Sequence, residues 1–209
     1  MRLQTTAFIN NQSLPERFAF CRISPENHVT LSENINPDFQ WANLPVETRS
    51  LALVCHDPDV PSRPDDVNKE GRTVSKDLAR VDFYHWVLVD IPPDLGGITE
   101  GSASSGVVPR GKPLGRTLHG RAGLNNYTDW FAGDANMAGD YGGYDGPCPP
   151  WNDEIMHHYH FTLYALSVDR LELPDRFGGP EALAAMNGVI LDQTSLMATF
   201  SLNPDLQGE

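Results

Sequence analysis

The sequence predicts a mostly β protein, and three observations carry that reading. Glycine and proline are abundant, 18 and 17 of 209 residues, which favours short strands and turns over long helices. Apolar stretches at 51–55, 83–91 and 155–168 have the length and the branched or aromatic content of strands. A single segment, 180–191, shows helical spacing: Pro180 suits a first helical position, and Leu183, Met186 and Ile190 then share a face.

Taken in order, residues 18–23, 29–31 and 39–41 are short apolar segments ended by Pro, Asn or Asp, the pattern of strands and turns. The run Leu51-Ala52-Leu53-Val54-Cys55 is a buried strand. It leads into Asp57-Pro58-Asp59-Val60-Pro61-Ser62-Arg63, where two prolines stiffen a loop that carries two carboxylates. Residues 64–82 are polar and read as a long surface insertion. The strand at 83–91 is stopped by Pro92-Pro93. Residues 94–150 are rich in glycine with little periodicity, and a loop region of that length in a compact domain is usually functional. After the strand at 155–168, the helix at 180–191 covers the sheet. The segment 194–202 alternates, with Leu196, Ala198, Phe200 and Leu202 on one side.

Composition bounds the function. The length suits one domain over residues 1–209 with a sizeable core. A net charge of −13, three lysines (Lys69, Lys76 and Lys112) and no basic run argue against nucleic acid and anionic membrane surfaces as partners. An anionic ligand must then be held locally, in a small pocket. The three cysteines are odd in number and lack CxxC spacing, so no disulfide framework is expected, and Cys55 reads as a buried thiol. Neither a signal-like N-terminus nor a membrane span is evident, and a cytoplasmic protein is expected.

Period-two geometry assigns the polar residues to faces. Leu51, Leu53, Cys55 and Asp57 share one face of the first strand; Phe83, His85, Val87, Val89 and Ile91 share one of the second; Ile155, His157, Tyr159, Phe161 and Leu163 share one of the third. Each alone has an ordinary structural explanation: a core histidine, a turn-capping aspartate, a core tyrosine. Three strands repeating the arrangement point to a joint site. Such a cluster can bind a phosphate or carboxylate through N–H and O–H donors, with Asp57 orienting His85 and keeping it charged. It can also form a two-histidine, one-carboxylate metal site or an acid–base pair in a hydrolase. No HExxH or GxSxG supports the enzyme readings. His158 and His160 fall on the opposite face from His157, which weakens the metal reading.

Four ordered segments carry a resemblance. They are Asp57 to Arg63, His85-Trp86-Val87-Leu88-Val89-Asp90-Ile91-Pro92, Tyr144-Asp145-Gly146-Pro147-Cys148-Pro149-Pro150, and the run from His157 to Leu166. Together they resemble the phosphatidylethanolamine-binding protein family, which includes the Raf kinase inhibitor proteins, and in particular its bacterial and archaeal branch. The resemblance spans residues 18–202. It implies a large antiparallel sheet packed on a smaller one with Greek-key connections and a few peripheral helices.

It further implies a non-enzymatic pocket for a small anion such as phosphate, acetate or a phosphoethanolamine headgroup. That pocket would be built from Asp57, Pro61, His85, Gly146, Pro150, His157 and Tyr159, with Asp59 holding the loop and a cis Val60–Pro61 bond. No catalytic residue, metal or cofactor is expected. The resemblance also implies a homodimer, with 64–82 available to its interface. The alternatives are a hydrolase of a small phosphorylated or acylated substrate in the same pocket, and a module that inhibits a kinase or protease. His158 stands where the family usually has arginine, and Asn36-Pro37 where many bacterial members have Ser-Pro.

Overall fold

The computed structural model describes residues 1–207, whose regular structure is mostly strand with little helix. The first half of the chain supplies β1 (Arg2–Gln4), β2 (Gln12–Ser13), β3 (Cys21–Ser24), β4 (His28–Leu31), β5 (Phe39–Ala42), β6 (Ser50–Pro61) and β7 (Arg80–Ile91). Then come β8 (Gly97–Ile98), β9 (Gly111–Lys112), β10 (Gly115–Arg116), β11 (Arg121–Ala122), α1 (Tyr127–Trp130) and β12 (Asp140–Tyr141). The remaining elements are β13 (His157–Leu166), α2 (Gly179–Met186) and β14 (Ile190–Phe200). Three short 3₁₀ helices lie at Glu16–Phe18, Pro93–Leu95 and Pro204–Leu206.

Seven strands form the large sheet in the order β10-β11-β7-β6-β13-β14-β2, antiparallel except where β2 joins β14 at the edge. β1, β5 and β8 form the smaller antiparallel sheet. Its Leu3, Phe39, Trp41 and Ile98 pack on Leu51, Trp86 and Phe161 of the large sheet, with the Phe39 ring 5.1 Å from that of Phe161. α2 covers the other face, where its Ala182 and Met186 sit with Ala52, Val54, Val87 and Leu166. Its first turn demands a glycine, because a Cβ on Gly179 would lie 2.2 Å from the Tyr84 ring. The helix is shorter than its spacing predicts. It ends at Met186, and Asn187-Gly188, with Gly188 at φ +79°, turns the chain so that Ile190 pairs with Leu166 as the start of β14.

β7 departs from simple alternation in a way that matters for the site. Val54 pairs with Val87 and Cys55 with Trp86, but His56 pairs with Tyr84, so His85 is the extra residue of a β-bulge. Trp86 and Leu88 therefore face the core between the sheets, while Val87 and Val89 pack under α2. The predicted single face from Phe83 to Ile91 is split at the bulge. A second irregularity between Asp57 and Val60 bends β6 at the same end.

The glycine-rich region 94–150 is ordered by short strands and by polar side chains. Asn36, fully buried, donates to the carbonyls of Pro37 and Thr99 and accepts from the amides of Ala103 and Ser104. The predicted insertion 64–82 is docked: Val74 is buried and exchanges main-chain bonds with Asn152 and Glu154. The Asn152 side chain ties down the stretch before it, accepting from the Asn68 amide and donating to the carbonyls of Asp66 and Arg72.

Candidate ligand-binding site

The bends in β6 and β7 and the start of β13 meet at the floor of a cavity of about 410 Å³. Asp57, His85, His157 and Tyr159 lie on that floor, as their predicted faces require, and Pro61 and Pro150 belong to the rim. One wall is aromatic: Phe20 stacks on Tyr127 at 4.5 Å, Tyr127 on Phe131 at 5.6 Å, and Phe83 meets Tyr127 edge-on at 5.3 Å.

The charges beneath the floor cancel in a chain. His157 Nδ1 lies 2.7 Å from Oδ2 of Asp57, and its Nε2 lies 3.2 Å from Oδ2 of Asp153. Arg80 in turn grips Asp153 with two bonds of 2.6 and 2.9 Å. Burial alone disfavours the imidazolium, but the two carboxylates outweigh it and raise the His157 pKa to about 9. Burial likewise opposes ionisation of Asp57 and Asp153, and in both the bond from His157 prevails and holds the carboxyl below its ordinary value. His157 is thus charged, and both of its N–H groups are already engaged. It cannot also donate to a ligand, which corrects the role the sequence reading gave it.

Asp57 does not orient His85. That ring is held by the main-chain carbonyl of Asp145, 2.8 Å from Nδ1, while the Asp145 amide returns a bond of 3.0 Å to the His85 carbonyl at the bulge. A carbonyl only accepts, so Nδ1 carries the proton. Nε2 has no hydrogen-bond partner among the described residues and is the ring atom left open to the cavity. Burial lowers the His85 pKa; the Asp57 charge and the Asp145 carbonyl oppose this and do not overcome it. At neutral pH His85 therefore presents a lone pair, in place of the charged donor expected from sequence.

Tyr159 is 1% exposed and its hydroxyl makes no hydrogen bond of good geometry. Burial, and then the nearby Asp57 charge, push its pKa well above the ordinary value, so it is a neutral O–H.

Asp145, which in the sequence stands out only as part of the segment Tyr144 to Pro150, is the hub behind the floor. It is fully buried, accepts from Asn34 (2.7 Å), Asn125 (2.8 Å) and Lys112 (2.8 Å), and so fixes the carbonyl that holds His85. Neither this hub nor Asp153 has a signature in strand periodicity, since both lie on loops. Asp153, four residues before His157, has only its spacing as a signal.

Two predicted residues stand outside the cavity lining. Asp59 accepts from both the amide and Nδ1 of His158, at 2.9 and 2.8 Å, so His158 braces the loop where the family usually has arginine. Gly146 is a close-packing position: a Cβ there would sit 2.0 Å from the Phe18 carbonyl oxygen, and its own carbonyl accepts the Tyr127 hydroxyl. The Val60–Pro61 bond is trans, and no cis peptide occurs among the described residues. Cys21 and Cys148 form a disulfide in the cavity wall, although the sequence implies no disulfide framework, whereas Cys55 is a buried thiol as expected. The parity argument failed because one free cysteine leaves the other two to pair. Among the described residues no three His, Cys, Asp or Glu side chains are grouped as a metal ion needs.

Fold and site define a β protein whose seven-stranded and three-stranded sheets pack together, with a polar-floored cavity at the bulged ends of its central strands. The chain belongs to the phosphatidylethanolamine-binding protein family, whose sequence profile matches residues 4–201. A UPF0098 protein of Methanothermobacter thermautotrophicus is 30% identical over 200 residues, covering 96% of this chain and 98% of that one. The UPF0098 protein YbhB of Escherichia coli is 26% identical, covering 96% and 100%. Among solved structures, a PEBP homologue of Chlamydia trachomatis, CT736, superposes with a TM-score of 0.62 at 25% identity, covering 95% of each chain. E. coli YbcL, described as a member of the mammalian PEBP family, gives a TM-score of 0.67 at 20% identity over 96% and 97% of the two chains, a likeness of fold.

Proposed function

We propose that this protein is a small-molecule binding protein whose cavity takes up a singly charged oxyanion, of the carboxylate or phosphoryl type, together with a proton. The observation that carries the reading is the open ring atom on the floor: His85, its Nδ1 engaged by the Asp145 carbonyl, has Nε2 facing the cavity. A proton taken up between Nε2 and an oxyanion supplies the bond that holds the ligand there. The floor's own charges cancel, so that proton balances the ligand's charge.

The cavity lining holds no serine, threonine or free thiol, since its two cysteines are joined, and this favours binding over nucleophilic hydrolysis. A water activated by His85 Nε2 is the route left to a hydrolase, and turnover of generic esters and phosphoesters tests it. The disulfide supports an oxidising compartment in place of the expected cytoplasm. No helix among the described residues is long and apolar enough to cross a membrane.

Calorimetry with acetate, phosphate and phosphorylethanolamine tests the site. Binding that is lost in His85→Ala supports it, and equal affinity in wild type and variant contradicts it.

A further inference from the structure

Behind the floor lies a group of three side chains that ligand binding does not use. Asp145 and Asn34 are fully buried, and Lys112 has 12% of its side chain exposed. One carboxylate oxygen, Oδ1 of Asp145, accepts from both of the others: from Lys112 Nζ at 2.8 Å and from Asn34 Nδ2 at 2.7 Å. A nucleophilic amine and the nitrogen of a carboxamide thus meet on a single proton acceptor.

The Asn34 amide is fixed in orientation and polarised. Its Nδ2 faces two groups that only accept, the Asp145 carboxylate and the Gly106 carbonyl, while its Oδ1 accepts from the Gly146 amide at 2.8 Å. That main-chain N–H stands where negative charge develops on Oδ1 when Cγ is attacked. Burial lowers the Lys112 pKa against the opposing charge of Asp145, which brings the neutral amine within easier reach. Asn125 supplies a contrast. It donates to the other oxygen of Asp145, Oδ2, and so shares no acceptor with Lys112.

We propose that Lys112 and Asn34 join through a spontaneous isopeptide bond, with Asp145 relaying the protons. Nζ forms a bond to Cγ of Asn34, and the Cγ–Nδ2 bond breaks. Asp145 Oδ1 carries two protons in turn from Nζ to Nδ2. The nitrogen therefore leaves as ammonium, the carboxylate is regenerated, and no co-reactant is consumed. The product ties strand β9 of the glycine-rich region to the segment before β5, a covalent strut beside the residue whose carbonyl holds His85.

Mass spectrometry of the full-length protein, denatured and with its disulfide reduced, tests the proposal. The mass is expected to lie about 17 Da below that of the sequence, the loss of one ammonia. Trypsin is then expected to release residues 23–49 joined to 111–116, because it cleaves after Arg22, Arg49, Arg110 and Arg116 and Lys112 precedes a proline. Lys112→Arg keeps the charge but cannot form the amide, and is expected to show the full mass and two separate peptides. Wild-type protein of full mass overturns the proposal. A loss of about 18 Da with Lys112 joined to Asp145 also overturns it, since the carboxylate is then the group attacked and not the relay. The same holds if the ammonia loss maps to Asn187-Gly188, where succinimide formation in an Asn-Gly pair expels ammonia without any cross-link.

Discussion

His85 gives its Nδ1 proton to the main-chain carbonyl of Asp145, 2.8 Å away, and leaves Nε2 as the ring atom open to the cavity. The bulge makes this possible, because the extra residue in β7 turns the imidazole out of the ladder and lets the Asp145 amide bond back to the His85 carbonyl. One main-chain contact thus fixes the tautomer, and with it what the floor offers a ligand.

The buried chain Asp57, His157, Asp153 and Arg80 ties stability to pH at both ends. His157 is raised from 6.5 to about 9, so its contribution is complete below pH 6.5 and lost as pH rises through about 9. Asp57 and Asp153 are lowered from 3.8, so theirs is present above that value and lost as pH falls through their native pKa values. An NMR titration of the His157 imidazole should show its midpoint near 9. A midpoint near 6.5 would contradict the buried imidazolium.

Lys112 has 12% of its side chain exposed and pairs with fully buried Asp145. Lys112→Met leaves that carboxylate with Asn34 and Asn125 alone. Removing one partner of a buried ion pair costs about 3–5 kcal/mol, and chemical denaturation should show a loss of that order. A loss below about 1 kcal/mol would mean that the two asparagines suffice.

Tyr159→Phe removes a buried hydroxyl that lies beside Asp57 without a hydrogen bond of good geometry. Stability should be unchanged or higher by about 1 kcal/mol in chemical denaturation, because no well-formed bond is lost. A loss above about 1 kcal/mol would show that Asp57 depends on that hydroxyl.

Cys21 and Cys148 are 127 residues apart in sequence. Closing a loop of that order restricts the unfolded chain by roughly 4–5 kcal/mol on the chain-entropy account. The double variant Cys21→Ser, Cys148→Ser should lower the denaturation midpoint accordingly and weaken binding, since both residues belong to the cavity wall. Quantifying thiols in the unfolded, unreduced protein gives an independent check: one thiol, from Cys55, is expected.

What the sequence reveals here is what local periodicity controls. Asp57, His157 and Tyr159 lie on the faces that alternation assigns them, because β6 and β13 run regularly up to the site. Alternation misplaces Val87 and Val89, since the bulge at His85 adds a residue and no local rule announces it. The partner of His85 is invisible for a related reason. Asp145 comes from a loop 60 residues away that is shaped by Asn34, Asn125 and Lys112, all distant in sequence. Periodicity gathers the floor residues but does not say which hydrogen bonds they have left to give, and here that distinction changes His157 from ligand donor to scaffold.

Proton uptake by His85 on oxyanion binding is measured most directly by acetate titrations between pH 6.5 and 8.5, in two buffers of different ionisation enthalpy. Uptake of about one proton per acetate is expected, with an affinity that falls about tenfold per pH unit, because the free ring is neutral there. Acetate binding with no proton uptake and no change across that range would contradict it.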